Sequence, residues 1–323
     1  AKYIIYNLSG AGAILIAIIE TYNRAGKLGF AGGPILAGST GSGLNWLLAL
    51  FIIGFGVKAA IMPLHRWLPA AMVAPTPVSA LLHAVAVVYS GVFGVLRVIY
   101  SVFGHELAGQ LKISRFLPWI AAFTILAGVV TATQQDVLKR RLAYHTISQL
   151  SYILLGAFTL QPWGLTGAIL HMISYSMLKI TLFFCAGIIA EKTGETKVSK
   201  IGGVGWLLPG TMAAFAAASL GMIGMLPLNT FWSKYFLMKG SVAGGKWPFA
   251  LVLIVSGIIN AVCFIPTVVT SFSGEKVWSN GERGNRVALM LAPTVFLAAI
   301  ALFIGLYPGI IWPGVQAVVN CFY

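Results

Sequence analysis

The chain has 323 residues, of which 59% are hydrophobic and only 9% charged, with 21 Lys and Arg against 7 Asp and Glu. That composition excludes a soluble globule and points to an integral membrane protein. The net charge of +14 does not mark a nucleic-acid binder, because the basic residues fall mostly between long apolar runs, where membrane topology puts them.

An all-α chain with about nine membrane segments is expected. The first covers about 3–22 and ends near Glu20, and a Gly-rich loop follows from Asn23 to Gly43. The second covers about 45–72 and is interrupted near Pro63; the third, about 77–101, is entered through APTPVSA. The fourth and fifth cover about 116–134 and 142–160, and the sixth 163–190. The seventh runs from about Leu207 to Lys239 with a break around Pro227, and the last two cover about 248–272 and 286–307. The tail, with Pro308, Pro313 and Gly314, is expected to form a short interfacial segment. No cleavable signal peptide is expected. The chain starts with Ala and enters an apolar helix almost at once, as if a segment preceded it.

Alternate loops differ in charge. One set carries Lys2, Arg66, Lys139, Arg140, Arg141, Lys192, Lys197, Lys200, Lys276, Arg283 and Arg286. The other carries Arg24, Lys27, Arg97, Lys112, Arg115, Lys239 and Lys246, so the first set is placed in the cytoplasm. Three lysines then remain inside the membrane: Lys58, Lys179 and Lys234.

Lys179 is the deepest. It lies about twelve residues from Glu191, roughly 18 Å along a helix, which is farther than its stem can reach toward water. An ionisable group at that depth costs about 2.5–3.5 kcal/mol on insertion scales, so it is a functional candidate. His171, Tyr175 and Lys179 recur at i, i+4 and i+8, on one helix face. The alternative is a neutral lysine packed between helices.

The second and seventh segments each carry a lysine beside a proline break: Lys58 before PLHRW and Lys234 after PLNTFW. Proline removes a backbone hydrogen bond, and freed backbone at membrane depth survives only inside protein or beside a wet cavity. Paired broken helices point to inverted repeats around a transport path. Lys58 reads as an amine whose proton affinity falls on desolvation and rises beside a carboxylate, against a packing or snorkelling lysine. His83, in SALLHAVAVVYSG, reads as a proton relay or a hydrogen-bonded packing histidine. The run DVLKRRLAYHTISQLSY is mainly a topology anchor, with Lys139 a relay candidate. His145 is expected to hydrogen-bond a neighbouring helix rather than extend the relay. Ser148, Gln149, Tyr152 and Asn260 are candidates to line a wet path. Cys185, Cys263 and Cys321 lack metal or disulfide spacing and read as small apolar packing residues. No metal, cofactor or nucleotide site is expected.

Three stretches carry a family resemblance: GVKAAIMPLHRWLPAAMVAPTPVSALLHA, DVLKRRLAYHTISQLSYILLGA and GAILHMISYSMLKITLFF. They resemble the antiporter-like membrane subunits of respiratory complex I, Mrp-type multisubunit cation/proton antiporters and membrane-bound hydrogenases. The likeness covers nearly the whole chain but only about the last nine of the family's fourteen helices. It implies inverted five-helix repeats, here 1–110 in part and 111–275, with 276–323 as a closing helix and tail. It also implies a midplane chain of protonatable groups: Lys58, His83, Lys139, His171, Lys179 and Lys234. Tyr175 stands where many relatives have a second histidine, so the relay there would run through the phenol or water. MLPLNTFWSK departs from the usual Pro- and Gly-rich break. The long lateral helix of the distal complex I subunit is absent, which favours a shorter Mrp-like or hydrogenase-type relative.

The resulting expectation is a subunit, in a prokaryotic cytoplasmic membrane, that moves protons, or protons coupled to sodium, for a larger redox-driven or Mrp-type complex. It would have no redox centre of its own, and any oxidoreductase chemistry would belong to partner subunits. The alternatives are a structural subunit that no longer conducts and, less favoured, an independent solute transporter. The seven carboxylates, Glu20, Glu106, Asp136, Glu191, Glu195, Glu275 and Glu282, all sit at segment ends or in loops. Buried charge must be paired or neutralised, so Lys58 is expected to meet a carboxylate from another polypeptide.

Overall fold

The computed structural model describes residues 2–30, 33–41, 43–73, 78–81, 86–274 and 284–323. Among them there is no strand beyond one isolated bridge between Val137 and Lys197. The long helices are α1 (Lys2–Ala25), α2 (Gly43–Lys58), α3 (Val87–Arg97), α4 (Leu117–Thr133), α5 (Leu138–Phe158) and α6 (Pro162–Thr193). They are followed by α7 (Pro209–Ile223), α8 (Thr230–Ala243), α9 (Trp247–Phe272), α10 (Gly284–Leu306) and α11 (Trp312–Asn320).

Each expected segment has a helical counterpart, but not all are uniform apolar spans. Among the described residues, five helical stretches are long and apolar enough to cross a membrane: Tyr3–Ala25, Lys112–Thr133, Pro162–Thr193, Trp247–Phe272 and Leu289–Leu306. The others fall short for two physical reasons. α2 and α7 stop at proline breaks. α5 carries His145, Ser148, Gln149 and Ser151, and is buried nearly all round from Leu142 to Phe158, so protein rather than lipid surrounds it. α3 runs on as a π-helical stretch, Val98–Phe103. The tail helix α11 folds back on α6, and beyond it Phe322 and Tyr323 pack their rings at 5.5 and 6.1 Å from Tyr100.

α6 is the longest element, 32 residues or about 48 Å, and packs against α5, α7, α8 and α10. It stops where Gly194 takes a left-handed conformation at φ 73° and returns its N–H to the Ala190 carbonyl.

α5 begins at Leu138, four residues before the expected 142, so Lys139, Arg140 and Arg141 ride in its first turn. Three cations oppose the helix dipole there, and two tertiary contacts offset them. Arg141 donates to the Cys263 carbonyl (3.1 Å) and Thr267 Oγ1 (2.8 Å) on α9, which flank Pro266. The loop after α6 is clipped to the turn before α5. Leu138 N–H donates to the Thr196 carbonyl and Val198 N–H to the Asp136 carbonyl, while the Ser199 N–H and hydroxyl both donate to the Asp136 carboxylate at 2.9 Å.

Those two Ser199 bonds hold the Asp136 carboxyl below its ordinary value of 3.8. A carboxyl depressed on folding stabilises above its unfolded value and loses that contribution as pH falls through the folded one. The clip is therefore intact at neutral pH and opens in acid. Asp136→Ala should raise amide exchange at Val198 and Ser199 several-fold at neutral pH. Unchanged protection in the variant would remove Asp136 as the holder of this loop.

Candidate functional site

The two proline breaks are built alike. α2 ends with Ala60 in the left-handed region (φ 55°) and Ile61 N–H returning to the Gly56 carbonyl. α7 ends with Gly224 (φ 97°) and Met225 N–H returning to the Leu220 carbonyl. Both are Schellman closures with the left-handed residue at the same place. Three residues on, Pro63 and Pro227 follow cis bonds. The offset is the same for both pairs, 224 − 60 = 164 and 227 − 63 = 164.

That register shows that the two lysines are not equivalent in sequence, although both approach a half-helix C-terminus. Lys58 lies in the last turn of α2 itself and is half-buried. Lys234 comes from α8, beyond the break, and is 7% exposed. Its Nζ reaches back to the Met222 and Ile223 carbonyls at 2.6 and 2.9 Å. These are terminal carbonyls that α7 leaves unpaired, at the negative end of its dipole, so an ammonium there is favoured. The tryptophans of the two PL motifs also diverge. Trp67 donates its indole N–H across the break to the Val57 carbonyl (2.7 Å), whereas Trp232 donates to Gly305 on α10 (3.0 Å).

Lys179 is fully buried, and its amine donates to the Leu142 carbonyl of α5 at 2.5 Å. Below it the α6 ladder descends by ring contacts. The Lys179 amine stands 5.6 Å from the Tyr175 ring centre, Tyr175 stacks on His171 at 5.8 Å, and His171 stacks on Tyr152 at 5.3 Å. The Lys234 amine lies 5.4 Å from that same Tyr152 ring, and His171 Nδ1 shares a 2.8 Å hydrogen bond with Ser233, the residue before Lys234. The protein thus brings Lys179, Tyr175, His171 and Lys234 into one contiguous buried chain. Among the described residues no carboxylate pairs with Lys58, Lys179 or Lys234.

The remaining expected residues stand apart. Lys139 lies half-buried in the first turn of α5, one turn before the carbonyl that holds Lys179. Lys58 sits where Gly91 of α3 presses against its backbone. Tyr89, on the same helix, donates to the Met172 carbonyl of α6 at 3.1 Å, so α3 ties the first break to the central helix. His83 lies outside the described residues.

Two features escaped the sequence reading: Ser233 is a partner of His171, and the α7 carbonyls are partners of Lys234. The expected neighbour of His145 on another helix is Asn260 of α9, but neither ring nitrogen forms a well-aligned hydrogen bond among the described residues; the ring packs edge-on against Phe264 at 4.8 Å. The spacing of His145, Gln149 and Tyr152, i, i+4 and i+7, was the available signal of a second polar face.

Residues 1–260 match the NADH:quinone oxidoreductase/Mrp antiporter transmembrane family. The chain belongs to that family. Among curated relatives, it is 34% identical over 322 residues to NADH-quinone oxidoreductase subunit N of Desulforudis audaxviator, covering 95% of this chain and 64% of that protein. It is 26% identical over 307 residues to a Na(+)/H(+) antiporter subunit of Alkalihalophilus pseudofirmus, covering 94% of this chain and 62% of that protein. The chain therefore spans somewhat less than two thirds of these relatives. Its fold superposes on a chain of the Mrp complex from Dietzia sp. with a TM-score of 0.88 at 23% identity, over 100% of this chain and 67% of that one. A chain of the archaeal membrane-bound sulfane sulfur reductase gives 0.88 at 25% identity, over 99% and 64%. The family resemblance read from the three sequence stretches is thus shown, and its members include both quinone-reducing and antiporter complexes.

Proposed function

We propose that this chain is the proton-translocating, antiporter-like subunit of a larger membrane complex, moving protons, or protons in exchange for sodium, in a prokaryotic cytoplasmic membrane. Lys58, His83, Lys139, His171, Tyr175, Lys179 and Lys234 carry the path. The observation that supports this most is the buried chain Lys179–Tyr175–His171–Lys234, whose two amines are held, among the described residues, by backbone carbonyls alone. Such an amine can hold or lose a proton as its surroundings change, since no carboxylate locks it as an ion pair. The repeats are 1–110 and 111–275, closed by 276–323; the shared break register supports this division. Membrane subunits surround the chain, and one of them, or a further part of the same polypeptide, supplies a carboxylate to Lys58.

In reconstituted vesicles carrying the assembled complex, Lys58→Ala should reduce proton transport by about tenfold or more, the scale of a lost proton-transfer group. In a structure of the whole complex, a carboxylate should lie within about 6 Å of the Lys58 amine, the range over which opposite charge strongly biases protonation. Full transport by the variant would reassign the chain as a structural subunit. A Lys58 amine without any such carboxylate would remove the partner from the scheme.

A further inference from the structure

His145 lies at the meeting point of three polar helix faces. α5 contributes His145, Gln149 and Tyr152; α6 contributes Lys179, Tyr175 and His171; α9 contributes Asn260 and Ser256, one turn apart. The ring is fully buried, 6.4 Å from the Tyr175 ring. Among the described residues neither ring nitrogen, neither Gln149 amide atom, nor the Tyr175 hydroxyl or Asn260 carbonyl oxygen makes a well-formed hydrogen bond; their polar neighbours are loosely placed, Asn260 for His145, Tyr152 for Gln149 and Thr146 for Tyr175. So many buried polar atoms without well-formed hydrogen bonds are not simple packing, because each would cost about 1–3 kcal/mol if left dry.

Two contacts give this cluster a direction. The Lys179 amine is held by the Leu142 carbonyl, one helical turn before His145 on the same face of α5. On the other side, Asn260 Nδ2 donates to the Met222 carbonyl at 3.5 Å, and Lys234 donates to that same carbonyl at 2.6 Å. Asn260 itself stands beside His145. His145 therefore has one buried lysine on each side. The other titratable or charged groups around it are Tyr175 and His171 on α6, Cys263 on α9 and Arg141 on its own helix, whose guanidinium is engaged by Cys263 and Thr267.

We infer that His145 is a proton-carrying group that joins Lys179 directly to Lys234, in parallel with the stacked route through Tyr175 and His171. The inference rests on the proton-translocating reading above. With Lys179 charged and Lys234 neutral, an N–H bond of the Lys179 ammonium breaks and one forms on a ring nitrogen of His145, directly or through water. The opposite ring nitrogen then releases its proton toward the Asn260 carbonyl side, where water passes it to the Lys234 amine. One proton has moved, Lys179 ends neutral, Lys234 ends charged, and His145 ends neutral with its ring proton on the other nitrogen, so a ring flip or tautomer exchange through water resets it for the next proton.

His145→Gln separates carriage from polar packing, because glutamine keeps hydrogen-bonding capacity but cannot bind a proton. In vesicles holding the whole complex, with transport normalised to assembled complex, this variant should lose proton transport by about tenfold or more. Asn260→Leu, which leaves the imidazole in place, should lower it by a smaller factor. Where His145→Gln yields too little complex, His145→Asn takes its place. Lys179→Ala is run alongside. Near-normal transport in the histidine variants while Lys179→Ala is inactive overturns the inference and leaves the proposed function standing. Normal transport in Lys179→Ala as well overturns both.

Discussion

Replacing Lys179 with alanine should lower the proposed ion transport by about tenfold or more while leaving the complex assembled. The two effects separate for a physical reason. The Lys179 amine is fully buried, has one carbonyl partner among the described residues, and faces aromatic rings at 5.6 and 5.4 Å. Among the described residues no carboxylate offsets the desolvation of a charge there, so removing the amine orphans none of them. The Leu142 carbonyl keeps a donor in the Thr146 hydroxyl at 2.9 Å. What alanine adds is a cavity, a cost typically of about 2–5 kcal/mol for large-to-small core changes. Lys179→Met fills most of that volume and should bring thermal stability back near wild type without restoring transport. Native-gel assembly and proton uptake by reconstituted vesicles measure the two effects independently. A fully coupled Lys179→Met complex would take Lys179 out of the path.

Gly224→Ala should damage the second break specifically. Gly224 sits at φ 97°, where a β-carbon costs about 1–2 kcal/mol. Its would-be Cβ also lies 2.7 Å from Lys234 Cδ and 3.2 Å from Nζ, so the lysine must move off the Met222 and Ile223 carbonyls. Gly245 provides the comparison, with a φ of 68° and nothing within 4 Å of where a β-carbon would stand. Gly245→Ala carries the backbone cost without displacing Lys234. Both variants should lose a few degrees of thermal stability, whereas only Gly224→Ala should also lose transport, by about tenfold if the displaced amine no longer passes protons. Equal transport in the two would show that the position of Lys234 against the α7 carbonyls does not matter.

Much of the site was legible because membrane chemistry is severe. A lysine in the middle of a long apolar helix, with histidine and tyrosine at i−8 and i−4, has one face to occupy, and α6 brings that whole face into the interior. The lysine beside each proline break was legible for the same reason. The helices themselves followed from long apolar runs, where intrasegment hydrogen bonding is the stable way to satisfy a backbone in lipid.

Other features depended on contacts distant in sequence. Local hydropathy started α5 at about 142; the Asp136–Ser199 clip and Arg141's bonds to α9 carry it back to Leu138, because partners 63 and 126 residues away satisfy groups that looked solvated. Local pattern gave Lys58 and Lys234 parallel roles, but the register of the breaks puts one on the first half-helix and the other beyond the second break. His145 looked like a packing histidine in the one-dimensional pattern. Only the meeting of α5, α6 and α9 leaves its nitrogens without a well-formed hydrogen bond among the described residues and places a buried lysine on either side. The amino-acid sequence by itself determined the helices, the family and the buried amines, since each follows from the cost of polar groups in an apolar medium. The tertiary structure decided which carbonyl holds each amine and which groups lie between them, since hydrogen bonds act over about 3 Å between helices whose order in space the local pattern does not encode.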